Sequence, residues 1–113
     1  MRVIKLFPLV CFFGLVLIAV DRRVSAQAAS PGAAAGKDVF EAQCSDCHNA
    51  DSRDAKEGPG LKGVSGGTLP SGRKASADVI RSLIENGGAG MPPFKTVLSE
   101  KEREDVIAYV MTL

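Results

Sequence analysis

The chain has 113 residues, of which 45% are hydrophobic and 24% are charged, and this composition suits one small globular domain. Its formal net charge is +1, and the sequence contains no basic stripe and no long block of like charge. This pattern excludes a nucleic-acid-binding surface of the usual basic kind and a long solvating tail.

Residues 1–26 have the pattern of a secretory signal peptide. A short basic head is followed by a continuous apolar run over residues 6–20, and Val24 and Ala26 form a small-x-small cleavage signal. A membrane-spanning helix needs about 20 apolar residues, whereas this run ends at Asp21. We therefore predict a signal peptide that is cleaved rather than retained as a membrane anchor.

Export predicts a periplasmic protein, which stays attached to the membrane only if the N-terminal segment is retained. Cleavage would remove four of the 14 basic residues and one of the 13 acidic residues, which leaves a formal net charge of −2. Residues 27–35 (QAASPGAAA) are small and show no periodicity. They predict a flexible tether that precedes a domain over residues 36–113.

Three segments have the periodicity of short helices. The first covers residues 36–48, where apolar residues and cysteines recur at three- and four-residue steps. The second covers residues 76–88, and Ser76 can cap its start. The third covers residues 99–113 and opens with a Ser-x-x-Glu capping box at Ser99.

A glycine-rich stretch without periodicity, residues 49–75, separates the first two predicted helices. In a small domain, a loop of this length is expected only where it wraps something. The core is also thin, because the chain beyond residue 26 has no tryptophan, one tyrosine and only Phe40 and Phe94 as phenylalanines. Both features predict a large, flat, apolar ligand inside an all-α domain of three to four short helices.

The sequence CSDCH at residues 44–48 matches the C-x-x-C-H pattern of covalent haem attachment. Residues three apart lie on one face of a helical turn, so Cys44 and Cys47 can reach two vinyl groups on one edge of a porphyrin. His48, the only histidine in the chain, would then project its imidazole toward the iron. The pattern predicts one haem c attached through both cysteines, with His48 as an iron ligand.

Three other interpretations of the same residues stay open at this point. A structural zinc site could use both cysteines and His48, but it requires four ligands and no fourth is signalled nearby. A redox-active dithiol requires a strand–helix context and surroundings that lower a thiol pKa, and the sequence indicates neither. The third interpretation is a chance match that includes a buried histidine.

The second iron ligand has four candidates: Met91, Met111, water or a lysine. Met111 lies in the last predicted helix, where core packing is its expected role. Met91 stands in the sequence GAGMPPF, outside every predicted helix. The glycines before it allow a close backbone approach, and Pro92 and Pro93 stiffen the chain after it. This setting favours Met91 as the second ligand.

Over about residues 33–113, the chain resembles a class I monohaem cytochrome c. Gly36 and Phe40 lie one turn apart in the first predicted helix, and Val106 and Tyr109 lie three residues apart in the last. This arrangement resembles the family's crossing of the N- and C-terminal helices, where a glycine lets the two backbones approach. The resemblance implies the cytochrome c fold, with the helices wrapped around one covalent haem.

The resemblance also implies roles for two loop segments. The sequence GPGL, which ends at Leu61, resembles the segment whose proline carbonyl accepts a hydrogen bond from the haem-ligating histidine. By this match Pro59 would orient His48, and Leu61 would cover the ring. The sequence MPPF resembles the family's axial-methionine segment, with Met91 as the ligand. Mitochondrial relatives often carry a tryptophan near a propionate and a ring of lysines. This chain has neither, so the resemblance does not identify propionate contacts or an oxidase-docking surface.

Ligation by both His48 and Met91 would close the iron to substrates and raise its reduction potential, which favours electron transfer. The expected function is a one-electron carrier, not an enzyme. Its expected partners are redox proteins: a membrane oxidase, a cytochrome complex or an exported dehydrogenase. It is expected to be a monomer that binds no nucleic acid. The alternative is a haem protein with an open sixth site, such as a peroxidase or a sensor, in which Met91 is structural.

Overall fold

The computed structural model describes residues 30–113, which contain three α-helices and no β-strand. Helix α1 covers Pro31–Gln43, α2 covers Ala77–Asn86 and α3 covers Glu100–Val110. The all-α prediction is confirmed. None of the helices in this range has the length and apolar character that a membrane crossing requires. The predicted signal peptide lies outside the described residues.

Helix α1 begins at Pro31, so the predicted flexible tether is wrong for residues 31–35. The Ser30 hydroxyl accepts a hydrogen bond from the backbone N–H of Ala33 (3.3 Å), and Pro31 occupies the first turn. A serine cap followed by proline is a favoured helix start, and alanine has the highest helix propensity. Ala33 is only 2% exposed, so this first turn belongs to the packed domain.

Helix α1 ends at Gln43, before the first cysteine, whereas its amphipathic pattern predicts a helix that continues to residue 48. Residues 44–47 form a hydrogen-bonded turn instead. In this turn the N–H groups of Cys47 and His48 both donate to the Cys44 carbonyl, at 3.1 and 2.9 Å. Cys44 and Cys47 are therefore the first and last residues of one turn, which follows the end of α1.

Helices α1 and α3 cross in direct backbone contact. A Cβ atom on Gly36 would overlap the backbone carbonyl of Asp105, so the crossing requires glycine at this position. One turn along α1, the Phe40 ring meets the Tyr109 ring edge to face, with centroids 5.4 Å apart. Val106 on α3 is 1% exposed. The predicted crossing of the terminal helices is confirmed.

Helices α2 and α3 begin at the predicted caps. The Ser76 hydroxyl accepts a hydrogen bond from a backbone N–H in the first turn of α2 (3.3 Å). At the start of α3, Ser99 and Glu102 form the reciprocal capping box. Helix α2 ends at Asn86 and is capped by Gly87, where φ is +70°, and α3 stops about one turn earlier than predicted.

The stretch between α1 and α2 contains no helix after the cysteine turn, and backbone hydrogen bonds tie it to the rest of the domain. The Leu61 N–H donates to the Asn49 carbonyl (2.7 Å), and the Ala75 N–H donates to the Gly67 carbonyl (2.9 Å). The buried core is small and draws on all three helices: Phe40, Ala75, Ile80, Ile84, Leu98, Val106, Ile107 and Val110.

Candidate haem-binding site

A cavity of about 580 Å³ adjoins the crossing of α1 and α3, and core residues such as Phe40, Ile84 and Val106 form part of its wall. All six residues predicted for the haem site line this cavity: Cys44, Cys47, His48, Pro59, Leu61 and Met91. A smaller cavity of about 350 Å³ is lined by residues that are mostly charged or polar, and neither cysteine is among them. The larger cavity is therefore the candidate site.

The wall of the larger cavity is mostly apolar, which suits a porphyrin ring. Within residues 30–113, the carboxylates of Asp46 and Glu57 line it, but no lysine or arginine does. The residues present therefore fit the body of a haem, two thioether bonds and its iron. They do not supply a cation that would pair with the propionates.

Cys44 and Cys47 are both free thiols, the first half-buried and the second exposed. Burial raises the pKa of the Cys44 thiol to about 11, and the neighbouring Cys47 adds to this shift. Dithiol redox chemistry uses the thiolate, so a thiol that keeps its proton is poorly suited to it. In the part of the chain that the structure describes, no three His, Cys, Asp or Glu side chains are arranged to hold a metal ion.

His48 is oriented from outside the cysteine turn. Its Nδ1 atom lies 2.8 Å from the Pro59 carbonyl oxygen. A carbonyl can only accept, so Nδ1 carries the proton in this hydrogen bond and Nε2 keeps a free lone pair. This tautomer allows Nε2 to bind a metal, and the contact with a backbone carbonyl is of the kind that fixes ring orientation.

Gly58 is a site residue that the pattern analysis missed. A Cβ atom at this position would lie 2.5 Å from His48 Cε1, so the backbone passes too close to the imidazole for any other residue. The Gly58 N–H also donates to the Cys47 carbonyl (2.8 Å), which ties the loop to the cysteine turn. The available signal was the glycine immediately before Pro59, but glycines are frequent in this loop and the sequence does not single one out.

Leu61 lies on the cavity wall and packs, half-buried, against the core cluster. Its place follows from the loop, since its N–H donates to the carbonyl of Asn49, immediately after His48. This hydrogen bond therefore joins the two ends of the loop that follows His48. This location is compatible with contact to a bound ring.

Met91 follows a tight turn in the segment that we call the Met91 loop, residues 87–93. Gly88 and Met91 exchange backbone hydrogen bonds of 3.0 and 2.9 Å. The two residues between them, Ala89 and Gly90, have φ values of +48° and +92°. Positive φ at both central residues is the pattern of a type I′ turn, which disfavours most side chains. The backbone on which Met91 stands is therefore closely defined.

Gly87 lets the chain turn back on itself beside Met91. Its φ is +70°, and a Cβ atom there would overlap the Met91 carbonyl. By contrast, a Cβ atom on Gly90 would meet no atom within 4 Å, so Gly90 is favoured by its conformation and not by close packing. The two glycines therefore serve different purposes, a distinction that the sequence does not reveal.

Met111 occupies a different environment from Met91. It lies just after α3, and like Met91 it packs, half-buried, against the core cluster. It does not contribute to the wall of the larger cavity, whereas Met91 does. The structure therefore separates the two candidate sulfur atoms, and only Met91 lines the same cavity as His48.

Comparisons with known proteins found one matching family model and several relatives named cytochrome c6. A profile of the family described as "Cytochrome C oxidase, cbb3-type, subunit III" matches residues 31–110. A cytochrome c6 of Rippkaea orientalis is 33% identical over 110 residues, which are 97% of this chain and 91% of the relative. A cytochrome c6 of Synechococcus sp. is 32% identical over 91% of this chain and 89% of the relative.

A cytochrome c6 of Synechocystis sp. is 36% identical over 76 residues, which are 67% of this chain and 61% of the relative. No solved structure gave a significant match. The family match runs from the first residue of α1 to the last residue of α3, and it includes the C-x-x-C-H sequence on the cavity wall. The predicted class I monohaem type and haem c attachment through Cys44 and Cys47 are confirmed at the level of the family. The chain therefore belongs to the cytochrome c family and is a haem-based electron carrier rather than an enzyme.

Proposed function

We propose that this carrier holds its haem iron between His48 and Met91 and that it works after export, in the periplasm. The observation that carries the ligand assignment is the hydrogen bond between His48 Nδ1 and the Pro59 carbonyl, which leaves Nε2 free in a residue that lines the same cavity as Met91. When bound, the haem supplies a one-electron couple between ferric and ferrous iron. The chain supplies the two axial side chains and their fixed surroundings.

Two different parts of the chain hold the proposed ligands in place. His48 is held in one tautomer by Pro59, with the backbone of Gly58 directly beside the ring. Met91 stands beside a turn closed by two backbone hydrogen bonds. Ligands that are held in this way would move little when the iron gains or loses an electron. A small structural change per transfer suits a carrier.

Two protein ligands would also leave no iron position for a substrate or peroxide. This supports electron transfer over the open-site alternative, in which Met91 would be a structural residue. The setting of Met91 favours ligation, because both methionines pack against the core cluster but only Met91 also lies on the cavity wall. A thioether ligand raises the reduction potential, since it stabilises ferrous iron.

We place the protein in the periplasm because residues 1–26 have the signal-peptide pattern. Its partners would be redox proteins of the membrane or the same compartment: an oxidase, a cytochrome complex or an exported dehydrogenase. The working form would be a monomer. Mass measurement of the exported protein tests cleavage after Ala26, because it reports the N-terminus and the covalent haem together.

We place docking at residues 89–93, which are exposed except for the half-buried Met91, and at the attachment edge near Cys44. Lys95 and Asp46 are exposed and flank these two areas in the sequence. Contacts between redox partners are small and transient, so single charges can alter their rates. Charge reversal at both positions is expected to change the electron-transfer rate at low ionic strength. Unchanged rates for both variants would contradict this docking surface.

The ligand assignment is tested by the near-infrared band that a thioether gives with ferric haem. We expect the band in the haem-loaded wild type and in Met111→Ala, and its loss in Met91→Ala. Met111→Ala is the matched control, because it removes the same side chain from a half-buried site in the core instead of from the cavity wall. A band that persists in Met91→Ala would show that Met91 is not the ligand.

A further inference from the structure

Arg103 of α3 has partners on both sides of the Met91 loop. Its side chain is 12% exposed, although Glu102 and Glu104 on either side of it are exposed. Its partner before the loop is Glu85, near the end of α2. Its partners after the loop are the carbonyls of Lys95 and Leu98, in the turn at residues 94–98. A guanidinium can make such contacts at the same time, because its donors form a rigid fork.

On the exit side of the loop, Nη1 of Arg103 donates to the carbonyls of Lys95 (3.0 Å) and Leu98 (2.6 Å). The turn that bears these carbonyls is closed by a hydrogen bond from the Leu98 N–H to the Phe94 carbonyl (2.9 Å). Phe94 itself lines the cavity. The guanidinium thus fixes a segment that begins on the cavity wall, and a charged donor makes these bonds stronger than neutral ones.

On the entry side, Nε of Arg103 lies 3.3 Å from a carboxylate oxygen of Glu85. Nε is buried, and the geometry of this contact is that of an ion pair and not of a hydrogen bond. Glu85 is itself only 23% exposed, and it precedes Gly87, the first residue of the loop, by two positions. Removal of one partner would leave the other charge poorly solvated.

The turn at residues 88–91 fixes the shape of the Met91 loop but not its position against the cavity. One backbone hydrogen bond ties the loop exit to α2, from the Phe94 N–H to the Ile84 carbonyl (2.8 Å). We propose that Arg103 is a positioning residue, which holds the entry and exit of the loop in a fixed relation and so keeps Met91 at the cavity wall. This inference rests on the proposed role of Met91 as an iron ligand.

The chain contains a matched control for this test. Arg81 on α2 and Glu104 on α3 also form an ion pair between the same two helices, with Nη2 and Oε2 2.9 Å apart. Their side chains are 34% and 48% exposed, and the described contacts of Arg81 include no carbonyl of the loop. Arg81→Lys therefore perturbs the link between α2 and α3 but leaves the loop attached.

The experiment compares Arg103→Lys with Arg81→Lys in the haem-loaded ferric protein. Lysine keeps the charge, but one ammonium cannot reproduce the fork that spans a carboxylate and two carbonyls. Added imidazole competes with Met91 for the iron, so its apparent affinity reports how often the loop opens. We expect Arg103→Lys to bind imidazole about tenfold more tightly than the wild type. A change of this size corresponds to the loss of one hydrogen bond to a charged group. The control is expected to stay within about twofold of the wild type, because its ion pair is more exposed.

Amide hydrogen exchange gives a second readout that does not involve iron ligation. The N–H groups of Phe94 and Leu98 are expected to exchange faster in Arg103→Lys than in Arg81→Lys, relative to the global opening of each variant. If Arg103→Lys does not retain haem, Glu85→Gln provides the test, because it weakens the entry contact and preserves both carbonyl bonds. The same direction of change, but a smaller one, is expected.

An unchanged imidazole affinity in Arg103→Lys would overturn the proposal. Equal tightening by Arg103→Lys and Arg81→Lys would also overturn it, since the effect would then come from general loosening of α2 and α3. A wild-type protein without the thioether band would instead overturn Met91 ligation. In that case the exchange rates of Phe94 and Leu98 would still decide whether Arg103 holds the loop exit.

Discussion

The Pro59 carbonyl accepts a hydrogen bond from His48 Nδ1 at 2.8 Å, although the two residues are 11 positions apart in the chain. The residue before this proline, Gly58, passes directly beside the same ring. The imidazole is thus fixed by a loop and not by the turn that carries the cysteines. Its orientation should depend on that loop at least as much as on its own backbone.

Gly58→Ala is expected to displace the His48 ring, because the added Cβ would lie 2.5 Å from Cε1. We expect a shifted reduction potential and an altered visible spectrum of the haem-loaded protein. Gly72→Ala is the control, since its φ of +78° imposes backbone strain while no atom lies within 4 Å of the added Cβ. Both variants should lose stability, but only Gly58→Ala should change the spectrum. Identical spectra would count against a role for Gly58.

Gly36→Ala is expected to separate α1 from α3, because its Cβ would overlap the Asp105 carbonyl. Overpacking of this kind should lower the free energy of unfolding by at least about 2 kcal/mol, measured by denaturant titration. Gly32→Ala, in the same helix, places its Cβ 3.2 Å from an Asp105 carboxylate oxygen, which can shift. Alanine also improves helix propensity, so this control should stay within about 1 kcal/mol of the wild type. Equal stability of the two variants would refute a close crossing at Gly36.

Gly87→Ala is expected to move Met91, because the added Cβ would overlap the Met91 carbonyl in a backbone of positive φ. The near-infrared band should weaken or vanish in the ferric protein. Gly90→Ala also has positive φ, at +92°, but its Cβ would meet no atom within 4 Å. That control should lose about 1 kcal/mol of stability from strain and keep the band. Retention of the band in Gly87→Ala would contradict this account of the loop.

Glu102 should make α3 sensitive to acid. Its carboxylate accepts hydrogen bonds from the Ser99 hydroxyl and backbone N–H (2.7 and 2.8 Å), which lower the pKa of Glu102. A depressed pKa in the folded state adds stability at pH values above the unfolded pKa of 4.5. This contribution is lost as the pH falls through the folded value.

Glu102→Gln should therefore be less stable than the wild type near neutral pH, and the difference should shrink as the pH falls below 4.5. The measurement is denaturant unfolding of the haem-loaded protein across this range. Glu100→Gln is the control, because Glu100 lies in the same first turn but takes no part in the capping box. A difference between wild type and Glu102→Gln that does not change with pH would contradict the capping account.

Local patterns identified most of the site. The C-x-x-C-H sequence and the Ser76 and Ser99 caps each act through residues within about one turn of the chain. Such short-range relations can be recognised from spacing alone. The predicted start of α1 is wrong, because a run of small residues resembles a tether and the helix start depends on the cap at Ser30.

The remaining site residues act across the fold. Gly58 is required only because the loop returns to His48, and Gly87 only because the chain turns back on Met91. Arg103 looks like one more charged residue of an amphipathic helix, since its partners lie in the preceding helix and loop. No spacing rule connects these positions, because the contacts exist only after the loops have closed.

Phe40 and Val106 belong both to the contact between α1 and α3 and to the wall of the cavity. The first and last helices are therefore joined by side chains that also line the proposed haem cavity. Fraying at either terminus would admit water to the prosthetic group before the middle of the domain unfolds. Exposure of the haem to solvent and separation of the terminal helices should therefore occur together. The haem spectrum would then report directly on the contact between α1 and α3.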